Sequence, residues 1–165
     1  MRIYLHIGLE HVGAARIQDV LAEKREQLAS KGILFPRALG PKNHTRLYMA
    51  VTDPDHIDPL RFNRDYMMPE KQAALYDEIA MQLARDIEAT KPHTLILSAS
   101  QLGTSLHRPS ELARLHALLS RFSSDIRLIA HIDEQSRLLT RHYAEQVMEG
   151  RGTSLNVEME RAGRR

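Results

Sequence analysis

The first thirty residues restrict the possible folds more than any other part of the chain. Residues 2–7 alternate in polarity as a strand does, and Gly8 and Gly13 follow, separated by four residues. Apolar residues then recur at helical spacing as far as Gly32, where glycine ends the helix. A strand that turns through glycines into a helix is typical of phosphate-binding loops, because backbone N–H groups and the positive end of the helix face the turn. The sequence therefore predicts this arrangement within residues 2–31.

The residues after the second glycine restrict what the loop can do. A nucleotide-hydrolysing loop continues with Lys and Ser or Thr, which hold phosphate oxygens and magnesium, whereas this chain continues Gly13-Ala14-Ala15. We therefore expect neither an ATPase nor a kinase. The alternative to a phosphate-binding loop is a glycine turn with a purely structural role. His11 is a candidate phosphate ligand or general acid. The candidate anion contacts in the loop are Gly8, His11, Gly13, Ala14, Ala15 and Arg16.

Strand and helix patterns alternate along the rest of the chain. Strands are predicted at 94–97 and 126–132, and helices at 45–51, 70–89, 109–122 and 134–149. Residues 52–69, with three prolines, are expected to be a long surface excursion. Strands separated by helices of this length predict an α/β fold with a parallel sheet of at least three strands, covered by helices on both faces. In the third long helix, the residues expected to face inward are Leu112, Leu115, Leu118 and Leu119.

Composition restricts the number of domains and the class of protein. The chain has 165 residues, 42% of them hydrophobic, which fits one domain at 1–150 followed by a tail at 151–165. The formal net charge is only +2, so no nucleic-acid partner is expected. No start resembling a secretory signal and no bilayer-length apolar run are found, which favours a cytoplasmic protein without a membrane partner. Nine histidines show no metal-ligand spacing and cysteine is absent, so no metal site is expected.

Several sequence motifs resemble the bacterial sulfotransferases that use 3'-phosphoadenosine 5'-phosphosulfate (PAPS). The first motif contains His6-Ile7-Gly8, Gly13 and Ile17-Gln18. A helix that ends before Gly32 follows, and the chain then continues Ile33-Leu34-Phe35-Pro36. The family usually reads H-I-G-x-x-K-T-G-T-T-x-I-Q here, followed by G-[VI]-L-[YF]-P. The other matching residues are Asn43-His44, Ser98-Ala99-Ser100, Gln135, Leu138-Leu139, Tyr143, Gln146-Val147 and Gly150.

This resemblance implies a P-loop-like fold and transfer of a sulfuryl group from PAPS to an alcohol or amine. The first loop would hold the 5'-phosphosulfate, and the later strand end, at Ser98, would hold the 3'-phosphate. Arg141, which stands where the family has a serine, is a further candidate contact for that phosphate. No cofactor is certain from the sequence, but PAPS or its product 3'-phosphoadenosine 5'-phosphate (PAP) is expected if nucleotide binding is retained.

The chain departs from the family at both expected phosphate sites. His11 occupies the family's lysine position, and Val12, Ala14 and Ala15 replace its threonines. Asp133 and Glu134 replace its two arginines, and carboxylates facing a phosphate oppose its binding.

Two functions follow from this comparison. We expect a sulfotransferase-like protein that is a non-catalytic binding or assembly module, with a protein partner or a second copy covering an unpaired sheet edge. The alternative is an active PAPS-dependent sulfotransferase with a weakened nucleotide site. Proteins of this family usually have further strands and helices after the last motif. The expectation of an unpaired sheet edge therefore comes from the resemblance alone.

Overall fold

A computed structural model describes residues 1–8, 12–148, 150 and 152–162 of the chain. The strands within these residues are β1 (Arg2–His6), β2 (Ile33–Leu34), β3 (Thr94–Ser98) and β4 (Ile126–Ile129). The helices are α1 (Ala14–Glu23), α2 (Arg25–Ala29), α3 (Thr45–Val51), α4 (Pro59–Asn63), α5 (Pro69–Thr90), α6 (Gln101–Thr104), α7 (Pro109–Ser120), α8 (Gln135–Met148) and α9 (Leu155–Ala162).

The strands form one parallel sheet in the order β2-β3-β1-β4. In the centre of the sheet, Leu5 of β1 is opposite Leu97 of β3 and Leu128 of β4. The predicted α/β fold with a parallel sheet is therefore confirmed. The strand β2 was not predicted, because two residues are too few to show an alternating pattern.

Right-handed connections place helices on both faces of the sheet. Helices α3, α5 and α7 cover one face and bury Leu5 and Leu97 in the main core. On the opposite face, α1 sends Gln18 to the hydroxyl of Ser98, whose side chain alternates with that of Leu97 along β3. Helix α1 is therefore attached to the carboxyl end of β3 on the face opposite the main core.

One face of α7 differs from the prediction. Leu112, expected to face inward, is 49% exposed, whereas Leu115, Leu118 and Leu119 are buried. Glu111 is fully buried in its place. A hydrogen-bonded carboxylate therefore takes the inward position that hydrophobic spacing assigned to Leu112.

The excursion expected on the surface at residues 52–69 is anchored to the interior by Arg61. This side chain lies in α4 and is fully buried. Its Nη1 donates to the carbonyls of Asp53 and His56, both at 2.7 Å, and its Nη2 donates to the carbonyl of Tyr66 at 3.0 Å. The prediction of a surface excursion was wrong at this residue, because its neighbours' carbonyl groups satisfy the guanidinium.

The last strand is less covered than the others. Leu128 and Ile129 of β4 are 68% and 39% exposed, and Ile132 beyond its end is 83% exposed. The segment 151–165, expected to be a tail, contains α9, and the division between domain and tail stays a prediction. Within the described residues, no helix has the length and apolar character to cross a membrane.

Candidate functional site

The loop predicted to bind phosphate connects β1 to α1 at the carboxyl edge of the sheet. Its two glycines both adopt left-handed backbone conformations, with φ of 80° at Gly8 and 92° at Gly13. Such angles strain residues with a side chain, so the positions require glycine. His11, the candidate acid and phosphate ligand, lies outside the described residues.

Gly8 is also required because the loop approaches β3 closely. A Cβ atom at Gly8 would lie 2.7 Å from Cα of Ser100 and 3.1 Å from its carbonyl oxygen. The backbone N–H of Gly103 donates to the carbonyl of Ile7 at 3.0 Å. The start of the loop is therefore packed against the segment that follows β3, whereas a Cβ at Gly13 would have no atom of the described residues within 4 Å.

The amino end of α1 offers mainly backbone groups. Gly13 is its N-cap, and no side chain makes a capping hydrogen bond there among the described residues. Ala14 is buried, and Ala15 and Arg16 are exposed. Neither alanine has a donor in its side chain. In the described first turn of the helix, the positively charged side chain is that of Arg16.

A buried polar network lies beneath the loop and centres on Ser98. Nδ1 of His6 lies 2.7 Å from Oγ of Ser98, and Nε2 of Gln18 donates to the same oxygen at 3.0 Å. Gln18 also donates to Oγ of Ser100 at 3.3 Å. Nε2 of His6 lies 3.1 Å from Nδ1 of His131, which follows β4. The network thus joins α1 to the carboxyl ends of the three longer strands.

The hydroxyl of Ser98 fits between its two partners. Its oxygen accepts from Gln18, and its hydrogen is available to Nδ1 of His6. In that arrangement Nε2 of His6 carries the ring hydrogen and donates to Nδ1 of His131. Burial lowers the pKa of His6, and the charge on His131 lowers it further, which keeps His6 neutral near pH 7. Ser98, predicted as a phosphate contact, is fully buried and uses its hydroxyl inside this network.

The Asn43-His44 pair lies against the end of β3. The N–H of His44 donates to the carbonyl of Ser98 at 2.8 Å, and the N–H of Ser98 donates back to Nδ1 of His44 at 3.2 Å. Asn43 accepts from the N–H of Ser100 at 3.3 Å through Oδ1. His44, the N-cap residue of α3, is fully buried.

The environment of His44 holds its ring neutral. Burial lowers the pKa of His44 to about 3; the Pro36 carbonyl acts in the opposite direction, and the charge on Arg25 adds to the lowering. Among the residues that the structure describes, none makes a well-formed hydrogen bond to Nε2. This histidine therefore acts as a neutral acceptor that fixes the end of β3.

The second expected phosphate site has a neutralised cation. Nη1 of Arg141 lies 2.7 Å from Oδ2 of Asp133. The side chains of both residues are partly accessible, at 49% and 22%. The charge of Arg141 is thus directed to Asp133. Within the described part of the chain, no group of three or more metal-ligating side chains is found.

No protein-family model matches the chain, and no curated protein or solved structure is significantly similar to it. The site is therefore judged on its own geometry.

Two parts of this site were not predicted from the sequence. Gln18 was noted only as part of a motif, and His131 was assigned no role. The available signal was a polar residue at or just beyond the end of each of three strands, at His6, Ser98 and His131, since parallel strands bring their carboxyl ends to one edge.

Proposed function

We propose that the protein is a non-catalytic, sulfotransferase-like binding or assembly module. The observation that carries this proposal is the loop at the start of α1, where glycine conformations typical of an anion cradle occur beside the side chains of Ala14 and Ala15, which have no donor. Sulfuryl transfer requires cations or strong donors where charge develops on the bridging oxygen. Arg141 offers little compensation because it is paired with Asp133.

The exposed edge of the sheet supports the assembly part of the proposal. Parallel strands are normally buried on both faces, yet Leu128 is 68% exposed. Among the described strands, β4 pairs only with β1, which leaves its other edge open. A second copy of the chain supplies an identical edge, and two-fold pairing of such edges satisfies both. We therefore take the partner to be a second copy.

One observation favours an active PAPS-dependent sulfotransferase as the second candidate. Arg16 is exposed in the first turn of α1, and the helix end is free of a side-chain cap within the described residues. An anion in the loop would meet backbone N–H groups and this guanidinium. Retained PAP binding would distinguish the enzyme from the module.

Sedimentation equilibrium tests the assembly. We expect the wild-type chain to show a concentration-dependent mass approaching twice that of the monomer. The Leu128→Arg variant should remain monomeric, because it places a charge on β4, the strand whose edge pairs in the dimer. The matched control Leu112→Arg changes an exposed leucine of α7 and should dimerise as the wild type does. A wild-type chain that is strictly monomeric, or a Leu128→Arg variant that still dimerises, would contradict the assembly.

A further inference from the structure

A cavity of about 540 Å³ lies beside the segment between β2 and α3. This volume falls within the roughly 300–1,000 Å³ of typical small-molecule sites. Four cationic side chains line the cavity, and none of its described lining residues is acidic. The lining residues that matter to the argument are Arg37, Lys42, Asn43, Arg46 and Arg64.

The wall of this cavity is held in place by hydrogen bonds to its backbone. Nη2 of Arg25 donates to the carbonyl of Pro41 at 2.7 Å, and Nη1 of Arg46 donates to the carbonyl of Ala38 at 2.7 Å. Gly40 has φ of 148°, and a Cβ there would lie 2.2 Å from the carbonyl oxygen of Asn43. The cavity is therefore formed before a ligand arrives, which lowers the entropic cost of binding.

The four cations are only partly neutralised. Lys42 pairs with Asp19 at 2.7 Å and Arg46 pairs with Glu78 at 2.6 Å. Arg37 and Arg64 have no carboxylate partner among the residues that the structure describes. Two guanidinium groups thus face a concave space without a counter-charge.

The positive charge of Arg37 acts on the guanidinium of Arg25. Burial lowers the pKa of Arg25, and the charge on Arg37 lowers it further. Positive charge is therefore concentrated behind the cavity as well as around it.

The cavity is connected to the carboxyl edge of the sheet through Asn43. This residue lines the cavity, accepts from the N–H of Ser100 and donates to Oε1 of Gln101 at 3.2 Å. Ser100 in turn contacts the loop at Gly8. The cavity is thus a neighbour of the loop and is separate from it.

We propose that this cavity binds a small anion that carries a phosphate or sulfate group, with Arg37 and Arg64 as its principal contacts. Guanidinium groups suit such groups because their planar donors engage two oxygens at once. Asn43 holds this wall of the cavity in place through its hydrogen bonds to Ser100 and Gln101. The inference goes beyond the proposed function, since it does not require the loop to bind anything.

Calorimetric titration with inorganic pyrophosphate at low ionic strength tests this site. The Arg37→Gln/Arg64→Gln double variant should weaken binding at least tenfold. The control Arg85→Gln/Arg121→Gln removes the same charge from exposed positions that do not line this cavity, and it should change binding less than twofold. Arg16→Ala, at the neighbouring loop, should also change it less than twofold.

The alternative outcomes separate this site from the loop. If pyrophosphate binding is lost in Arg16→Ala and kept in the double variant, the anion sits at the loop and the cavity proposal is overturned. Equal weakening in the double variant and its control would show only general charge attraction and would also overturn it. Parallel titrations with glucose 6-phosphate and glucose 6-sulfate then identify which ester the cavity prefers.

Discussion

Ser98 shows how a single hydroxyl organises the interior of this protein. It is fully buried, and its oxygen meets both the ring of His6 and the amide of Gln18. A hydroxyl is the smallest group that donates to one partner while accepting from another. Its place at the end of β3 therefore fixes α1 relative to the sheet.

Replacing Ser98 with alanine should lower the free energy of unfolding by about 1–3 kcal/mol, because buried polar groups lose their partner. Urea unfolding monitored by circular dichroism measures the change. The exposed Ser124→Ala variant serves as the control and should change stability by less than about 0.5 kcal/mol. Equal effects of the two substitutions would show that the network contributes nothing to stability.

His44 makes stability depend on pH in a defined direction. Its folded pKa of about 3 lies below the ordinary value of 6.5, so the folded state resists the proton that the unfolded state accepts. The contribution is complete above pH 6.5 and declines as the pH falls towards the folded pKa. The lowered pKa of His6 acts in the same direction.

Between pH 6.5 and 5, His44 should reduce the free energy of unfolding by up to about 1.4 kcal/mol per pH unit. Urea unfolding at several pH values measures this slope, and the His44→Asn variant should flatten it. His116→Asn, on the exposed face of α7, should leave the slope unchanged. A wild-type slope that His44→Asn does not alter would contradict the assignment.

Gly8 determines how two elements are connected, because it lets the chain turn from β1 towards α1 while it packs against the end of β3. Its φ of 80° and its approach to Ser100 each exclude a side chain. Gly13 shares the unusual backbone angle, but a Cβ there would have no neighbour within 4 Å among the residues that the structure describes. Substitutions at the two glycines therefore distinguish the stability cost of left-handed strain from the cost of steric overlap.

Gly13→Ala should cost about 1 kcal/mol of stability, from left-handed strain alone. Gly8→Ala should cost at least twice as much, because the backbone of Ser100 must move as well. Thermal unfolding of both variants beside the wild type provides the comparison. Equal losses would mean that the close approach to Ser100 is absent in solution.

The elements that the sequence predicts well are those with a strong local pattern. The helix at Thr45–Val51 and the long helix around 70–89 were expected and are found, since their apolar residues recur at helical spacing. The parallel sheet followed from the alternation of strands and helices. Local periodicity was sufficient for these parts.

The sequence fails where groups outside the local helical pattern determine a residue's place. Arg61 is buried because carbonyls from both sides of α4 surround it, and Glu111 is buried because it accepts from the N–H of Asp53 at 2.9 Å and from His56 at 2.7 Å. Nothing within a helical turn of either residue indicates these partners. The basic cavity was missed for the same reason, since Arg64 joins the cations of residues 37–46 from a separate segment.

At the scale of the whole molecule, the carboxyl edge of the sheet collects the features that matter to function. The loop, the Ser98 network and the basic cavity lie along this edge, while the exposed residues of β4 lie at the end of the sheet. The proposal of a non-catalytic module assigns function to the surface of β4 and none to the loop. The central question is whether the loop still binds a nucleotide.

Calorimetric titration of the wild-type chain with PAP answers this question most directly. Because PAP carries phosphates that the basic cavity could attract, the Arg37→Gln/Arg64→Gln variant is titrated beside it. We expect no heat attributable to the loop at millimolar PAP, so any heat in the wild type should disappear in that variant. Low-micromolar binding that survives in that variant, and that Arg16→Ala or His11→Ala weakens, would contradict the non-catalytic account.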